Sequence, residues 1–356
     1  MEKFSMQQWV FDEAYGRYDI DLGDSNAPCL TSHQLGSFPD VELNYGKNIG
    51  TDSLRRLVAN LYGASTHNIG VTHGAQEALY LIYNDLLDKG DHVITWTPGW
   101  EQAWKVPESI GCEVTTLGLN KDMCFDLSDL AQSITPKTKL IILNSPCNPS
   151  GTTLSQHDKA TLLDLVKQYA LTLVVDEEYL SDLTDSMFHL SPNVISVSSI
   201  SKIYGAPGLR IGWICCEKKR LNGIMRLKHY TTITNSILCE TLASKILERQ
   251  SEFVSSYKNM RNAGLQVLRK WISENNDVVR WIEPQDTPFA WLLLDKQYNS
   301  LEIARRMLYE HKILVMPAEV FGLKHGLRIT FCRDLEQLNT GLKCLKSSLV
   351  QTLMYV

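Results

Sequence analysis

The sequence predicts an α/β protein: a large doubly wound domain on a mostly parallel sheet, joined to a smaller α+β domain. Between Ile69 and Cys216 short β-branched runs alternate with helical segments, as in repeated strand-helix-strand units. The chain has 356 residues, 44% hydrophobic and 21% charged, enough to bury a large core in about two structural units. A long amphipathic segment, Glu252 to Glu274, ends the alternation and leads into a few short strands. These breaks divide the chain into an arm with the start of the small domain (1–45), the large domain (46–250), and a linking helix with the C-terminal small domain (251–356).

Residues 1 to 40 are polar and turn-rich with one extended piece, Tyr18 to Leu22, and read as an arm wrapping over the body or a partner. A helix is expected from Asp52, capped at Thr51 or Asp52, with Leu54, Leu57, Val58 and Leu61 on its apolar face. The expected strands of the large sheet are Val93 to Thr97, Glu113 to Leu117, Lys139 to Asn144, Leu171 to Asp176, Val194 to Ser198 and Arg210 to Cys216. In the small domain they are Phe289 to Leu294, Ile313 to Met316 and Leu327 to Phe331.

A net charge of −5 and a pI near 6.0 give no electrostatic reason to expect nucleic acid or an anionic membrane as partner. The start, Met1 to Ser5, lacks a signal-peptide core, and no apolar run nears the roughly 20 residues of a membrane span, so a soluble cytoplasmic protein is expected. Nine cysteines without a Cys-x-x-Cys pair read as reduced thiols, not as a disulfide frame or a metal site.

Ligands of doubly wound sheets bind beyond the carboxyl ends of the strands, and the informative motifs fall there. Lys202 stands in Ser199-Ile200-Ser201-Lys202-Ile203-Tyr204-Gly205-Ala206-Pro207-Gly208-Leu209-Arg210, on a constrained turn after an apolar run. A shielded lysine near another cation, here Arg210, is expected to have a lowered pKa and to form an imine readily. Ser199, Ser201 and Arg210 suit phosphate oxygens. Thr72-His73-Gly74-Ala75-Gln76 opens a helix whose free amides at Gly74, Ala75 and Gln76 also suit a phosphate. Thr97-Pro98-Gly99-Trp100 offers Trp100 as a face for an aromatic ring. Asn144-Ser145-Pro146-Cys147-Asn148-Pro149-Ser150-Gly151 is a stiff turn that fixes Asn148. Asp176, ending an apolar strand before Glu177-Glu178-Tyr179, needs a cationic partner if it is buried.

From Tyr45 to Arg328 the order and spacing of these motifs resemble the class I/II aminotransferases, fold-type-I enzymes dependent on pyridoxal 5'-phosphate (PLP). The resemblance implies that Lys202 binds the cofactor covalently and shuttles the α-proton, that Asp176 pairs with the ring nitrogen, and that Asn148 and Tyr179 donate to the phenolic oxygen. It also implies that Arg328 and Asn148 meet the substrate carboxylate, and that Tyr45 reaches the cofactor phosphate of a neighbouring subunit, making the protein a homodimer. One departure is Pro284-Gln285-Asp286-Thr287-Pro288, where relatives carry a glycine pair.

Within the family the chain looks most like the enzymes that dehydrate a hydroxylated arginine and close its guanidine into a ring. That likeness lies in Trp9, Tyr15, Tyr18, Asp19 and Ile20, in Glu77 to Leu81, and in Tyr230, Thr232 and Glu240. It implies a substrate guanidinium held by an acid: Asp24 beside Gly23, Asp19, Asp21, or Glu101 after Trp100. A transfer of the amino group to a 2-oxo acid is the alternative outcome. A racemase, a decarboxylase or a cofactor-free binding module of the same fold stays open at this stage.

Overall fold

The computed structural model describes residues 4–37 and 40–353, with side chains to residue 350. Its first segment begins with a helix that the turn-rich reading of the arm did not include. Ser5–Gln7 is α-helical and continues as a π-helix over Gln8–Ala14. Nothing in local propensity demands this helix; its apolar side chains Met6, Trp9 and Ala14 are buried in the small-domain core, and the Trp9 indole N–H donates to Val315 O at 2.9 Å. Only Ile20–Asp21 (β1) is extended, pairing in parallel with Ile313–Leu314.

The large sheet has seven strands: Ile69–Thr72 (β2), His92–Thr97 (β3), Glu113–Gly118 (β4), Thr138–Asn144 (β5), Thr172–Asp176 (β6), Val194–Ser199 (β7) and Gly212–Cys215 (β8). Their order is β2-β8-β7-β6-β5-β3-β4, and every pairing is parallel except the two made by β8. The six expected strands are all there with small shifts at their ends. β8 starts at Gly212 instead of Arg210 because Arg210 is left-handed, at φ 54°. β2 is an addition: four residues interrupted by Gly70 carry little periodic signal. That glycine is needed for packing, since a Cβ there would lie 2.8 Å from Met225 Sδ and 2.9 Å from Leu221 Cδ1.

The small sheet is antiparallel. It joins Val279–Ile282 (β9), Phe289–Leu294 (β10), Met316–Pro317 (β12) and Gly326–Thr330 (β13) in the order β12-β13-β10-β9, while Ile313–Leu314 (β11) belongs with β1. The expected strand Ile313 to Met316 is therefore divided at Val315 between two sheets. β9 was not expected because Arg280 and Trp281 break its apolar alternation. The helix Gln250–Ser273, matching the expected linking segment, places Tyr257 in the large-domain core and Leu265, Leu268 and Ile272 in the small-domain core. The helix Asp52–Tyr62 starts after Thr51 as expected, but the Thr51 backbone N–H is taken up by Glu240 Oε2 at 2.8 Å. All nine cysteines are free thiols, five of them buried. Among the described residues no helix is long and apolar enough to cross a membrane.

Candidate active site

Parallel strands share one carboxyl end, so β2, β3, β5, β6 and β7 deliver their following turns to the same edge of the large sheet. There a cavity of about 690 Å³ opens, roofed by the N-terminal helix and by the small sheet. It falls within the roughly 300–1,000 Å³ usual for small-molecule sites. Of the residues expected to act, Gly23, Asp24, Ala75, Gln76, Trp100, Asn148, Asp176, Tyr179, Ser201, Lys202, Arg210 and Arg328 line it.

Three expected residues do not line it. Gly74 lies behind Arg210, at φ +73°, and a Cβ there would sit 2.3 Å from Arg210 Nη2. Ser199 is buried, its hydroxyl accepting from Ser201 N at 2.9 Å. Tyr45 is 80% exposed and belongs to no wall of this chain's own cavity.

Lys202 Nζ donates to Ser25 Oγ at 3.2 Å, and the Tyr179 hydroxyl donates to the same Ser25 Oγ at 2.9 Å. The expectation of a lowered lysine pKa through Arg210 is corrected here. Burial does pull the Lys202 amine down, but Tyr179 once ionised and the Asp24 and Glu178 carboxylates outweigh it and hold the amine above its ordinary value, and the opposing cation is Arg328. Arg210 instead folds back, with Nη1 donating to Pro207 O at 2.8 Å. Burial raises the Tyr179 phenol, so its hydroxyl stays protonated and able to donate.

Arg328 is 2% exposed and reaches across both domains. Its Nη1 donates to Asn148 Oδ1 at 2.6 Å, its Nη2 donates to Gly23 O, and the rings of Phe289 and Phe321 lie 5.0 and 5.3 Å from the guanidinium carbon. Its buried Nε has no hydrogen-bond partner. With the Asn148 oxygen accepting from Arg328, the side-chain NH₂ is oriented away from that guanidinium and is the donor available to a ligand. The Asn148 turn is clasped by the departing loop: a Cβ on Gly151, at φ +77°, would lie 2.8 Å from Pro284 Cβ and Thr287 Oγ1. Trp100 does not stand free. Its Nε1 donates to Gln76 Oε1 at 2.8 Å, and Phe4 meets it edge-on with centroids 4.7 Å apart.

Asp176 is pushed up to about 8, first by burial and then by Glu178, with the Glu178 amide and Lys202 only partly restoring its charge. A half-buried carboxylate at this strand end, raised in this way, calls for a cation that forms a closer pair. Two residues escaped sequence reasoning. Ser25, 5% exposed, carries no motif and is brought in by chain crossing. Glu178, 6% exposed, follows the noticed Asp176 and was passed over as one acid in a run of three. Of the other acids considered for a guanidinium, Asp21 accepts from Gly23 N and Asp24 N at 2.8 Å, and Glu101 accepts from Ser5 N at 3.3 Å. Asp24 is the one of that set facing the cavity.

A two-domain α/β frame with a lysine, a strand-end aspartate and a glycine-opened helix around one cavity defines a fold-type-I PLP enzyme. The chain belongs to the aminotransferase class I and II family, whose pattern it matches over residues 30–345. It is 27% identical over 362 residues to capreomycidine synthase of Streptomyces vinaceus, an alignment covering 97% of this chain and 93% of that protein. A PLP-dependent aminotransferase from Streptococcus suis superposes with a TM-score of 0.92 at 26% identity, covering 98% of both chains. The PLP-dependent cyclase OrfR superposes with a TM-score of 0.89 at 26% identity, covering 99% of this chain and 98% of that one.

The cofactor of this family is PLP, and the residues present fit it. The raised Asp176 carboxyl lacks the cation that a pyridinium nitrogen would be, and the Gly74 turn leaves Arg210 and the first helical amides open to a phosphate. Gly74→Ala is expected to displace Arg210 and weaken PLP binding to the cofactor-free protein by about tenfold or more, since tenfold corresponds to only about 1.4 kcal/mol. Titration of that protein with PLP, followed by absorbance, measures this, and unchanged affinity would contradict the position given to Arg210.

Proposed function

We propose that the protein is a PLP-dependent cyclodehydratase that removes water from a hydroxylated arginine and closes its guanidine into a ring. The observation that carries this reading is Asp24, a carboxylate facing the cavity from the N-terminal arm while Arg328 stands buried in the wall. With Asp176, Lys202 and Arg210 assigned to the cofactor, Arg328 and Asp24 are left for the substrate, and that pairing suits an amino acid that brings a carboxylate at one end and a cation at the other.

In this reading Asp176 holds the cofactor's ring nitrogen, Asn148 and Tyr179 donate to its phenolic oxygen, and Ser201, Arg210 and the amides of Ala75 and Gln76 hold its phosphate. When bound, the cofactor supplies an electron sink for the negative charge left at the substrate α-carbon. Arg328 orients the α-carboxylate, with its free Nε–H and the Asn148 amide as further donors. Lys202 Nζ takes the α-proton and is placed to return it to the departing hydroxyl, which leaves as water. A guanidine nitrogen, kept in place by Asp24, then gives up a proton as it bonds to the carbon that lost the hydroxyl, and Lys202 Nζ returns a proton to the α-carbon, so that the net change is loss of one water. Met6, Val10 and Phe11 of the N-terminal helix line the same cavity and give it an apolar wall.

The protein works in this account as a cytoplasmic homodimer. Tyr45, exposed and remote from its own cavity, and Tyr230, 88% exposed, lie on loops joined by the Asn48 Nδ2 bond to Ile233 O at 2.9 Å, which supports a role for Tyr45 at a second copy's site. A second reading, an aminotransferase acting between an amino acid and a 2-oxo acid, is favoured by the likeness to the Streptococcus suis enzyme.

Asp24→Asn tests the substrate class. It is expected to raise KM for a hydroxylated arginine by about 10- to 100-fold, the worth of about 1.5–3 kcal/mol for a hydrogen bond to a charged group. KM for an uncharged amino acid should stay the same. Equal effects on both substrates would remove Asp24 from side-chain recognition and with it the observation on which the cyclodehydratase reading rests.

A further inference from the structure

Glu178 has no role in the account so far, yet it lines the cavity beside Lys202 while being 6% exposed. Its Oε1 is buried without a hydrogen-bond partner, and its backbone N–H donates to Asp176 Oδ1 at 3.1 Å. The neighbouring Glu177 shows what a purely structural carboxylate looks like in this fold. It faces away and is fully engaged, accepting from Ser186 Oγ at 2.6 Å, Met187 N at 2.9 Å and Ser196 Oγ at 2.5 Å. Glu178 lacks any such cage.

The charged groups around Glu178 can be matched one by one. Asp176 and Tyr179 flank it on its own segment, Lys202 faces it from the turn after β7, and Arg210 from the approach to β8. Asp24 and Arg328 also act on Lys202. Burial disfavours the Glu178 charge, and Lys202 is the strongest of the groups that restore it, ahead of the Ser199 hydroxyl and Arg210. If Asp176 serves a ring nitrogen, Arg210 a phosphate and Arg328 a carboxylate, Lys202 is the cation left for Glu178. A buried carboxylate without such a partner would be costly to keep.

We propose that Glu178 is a positioning residue for Lys202, a buried counter-ion that stabilises positive charge on the lysine nitrogen and so sets the pH at which that nitrogen carries its proton. The proposal rests on the PLP reading. It gives Lys202 a reason to stay protonated after taking the α-proton, ready to hand it to a leaving hydroxyl.

The test is a pH titration of the visible absorbance of the PLP-loaded protein, the band that borohydride abolishes. Removing a nearby negative charge makes protonation of the lysine nitrogen harder, so the midpoint in Glu178→Gln should fall by about one pH unit or more. Glu178→Asp, which keeps the charge at a shorter reach, should recover part of that shift. Glu178→Ala is read in the same way and covers failure of the glutamine variant to fold. A wild-type midpoint in either neutral variant overturns the proposal. So does failure of both to fold, which would make Glu178 a structural carboxylate. Absence of a borohydride-sensitive band in the wild-type protein would instead overturn the PLP reading itself.

Discussion

Lys202→Ala is expected to lose all measurable turnover and the borohydride-sensitive absorbance together, while keeping the fold. The amine is the group in the cavity placed both to attach the cofactor and to move the α-proton, so one deletion removes two functions. Its structural share is small: one hydrogen bond to Ser25 Oγ at 3.2 Å. Losing it, with Asp24 and Glu178 left without that cation, should lower stability by about 1–3 kcal/mol. Circular dichroism and thermal unfolding check the fold, and absorbance with product analysis checks the rest. Turnover retained in this variant would be incompatible with the assigned chemistry.

Asp176→Asn should still bind PLP through the phosphate turn but slow the reaction by about a thousandfold or more, about 4 kcal/mol of barrier. An asparagine fills the same space but cannot keep a proton on a ring nitrogen, and the cofactor then ceases to be an efficient electron sink. The same substitution has a signature in stability. In the protein without cofactor the Asp176 carboxyl is raised from 3.8 to about 8 by burial and by Glu178. The folded state therefore holds a proton that the unfolded chain releases. The resulting stabilisation is complete below about pH 4 and is lost as pH rises through about 8. Thermal unfolding of the cofactor-free protein should show that decline, and Asp176→Asn should flatten it. A near-normal rate in the variant would mean that another group protonates the ring.

How much of this was legible in the sequence follows from the range over which each signal acts. The large sheet was readable because each strand is a short β-branched run closed by a turn with its own chemistry, such as Thr97-Pro98-Gly99 after β3 or Asn144 to Gly151 after β5. Lys202 and Asp176 were readable for the same reason: strand, polar residue and turn are contiguous. The N-terminal helix was not, because Met6 and Trp9 acquire an apolar environment only from the small-domain core, with Trp9 bonded to Val315 306 residues away. Ser25 is likewise set by a contact with Lys202 177 residues off. The sign of the Lys202 shift was misjudged because Arg210, its neighbour in sequence, turns to Pro207, whereas Asp24 and Glu178 arrive from other parts of the chain. Glu178 could have been suspected only from the run Asp176-Glu177-Glu178 after an apolar strand, because the strand stops at Asp176 and the turn that follows sets which acid faces the site.

The most direct measurement of the proposed reaction is product analysis after incubating the PLP-loaded protein with hydroxylated arginine and no 2-oxo acid. A cyclising dehydratase draws leaving group and nucleophile from one substrate, so many turnovers per protein are predicted, with a product lighter than the substrate by one water. A single turnover that leaves pyridoxamine phosphate on the protein, with activity restored by a 2-oxo acid, would contradict the cyclodehydratase and establish the aminotransferase.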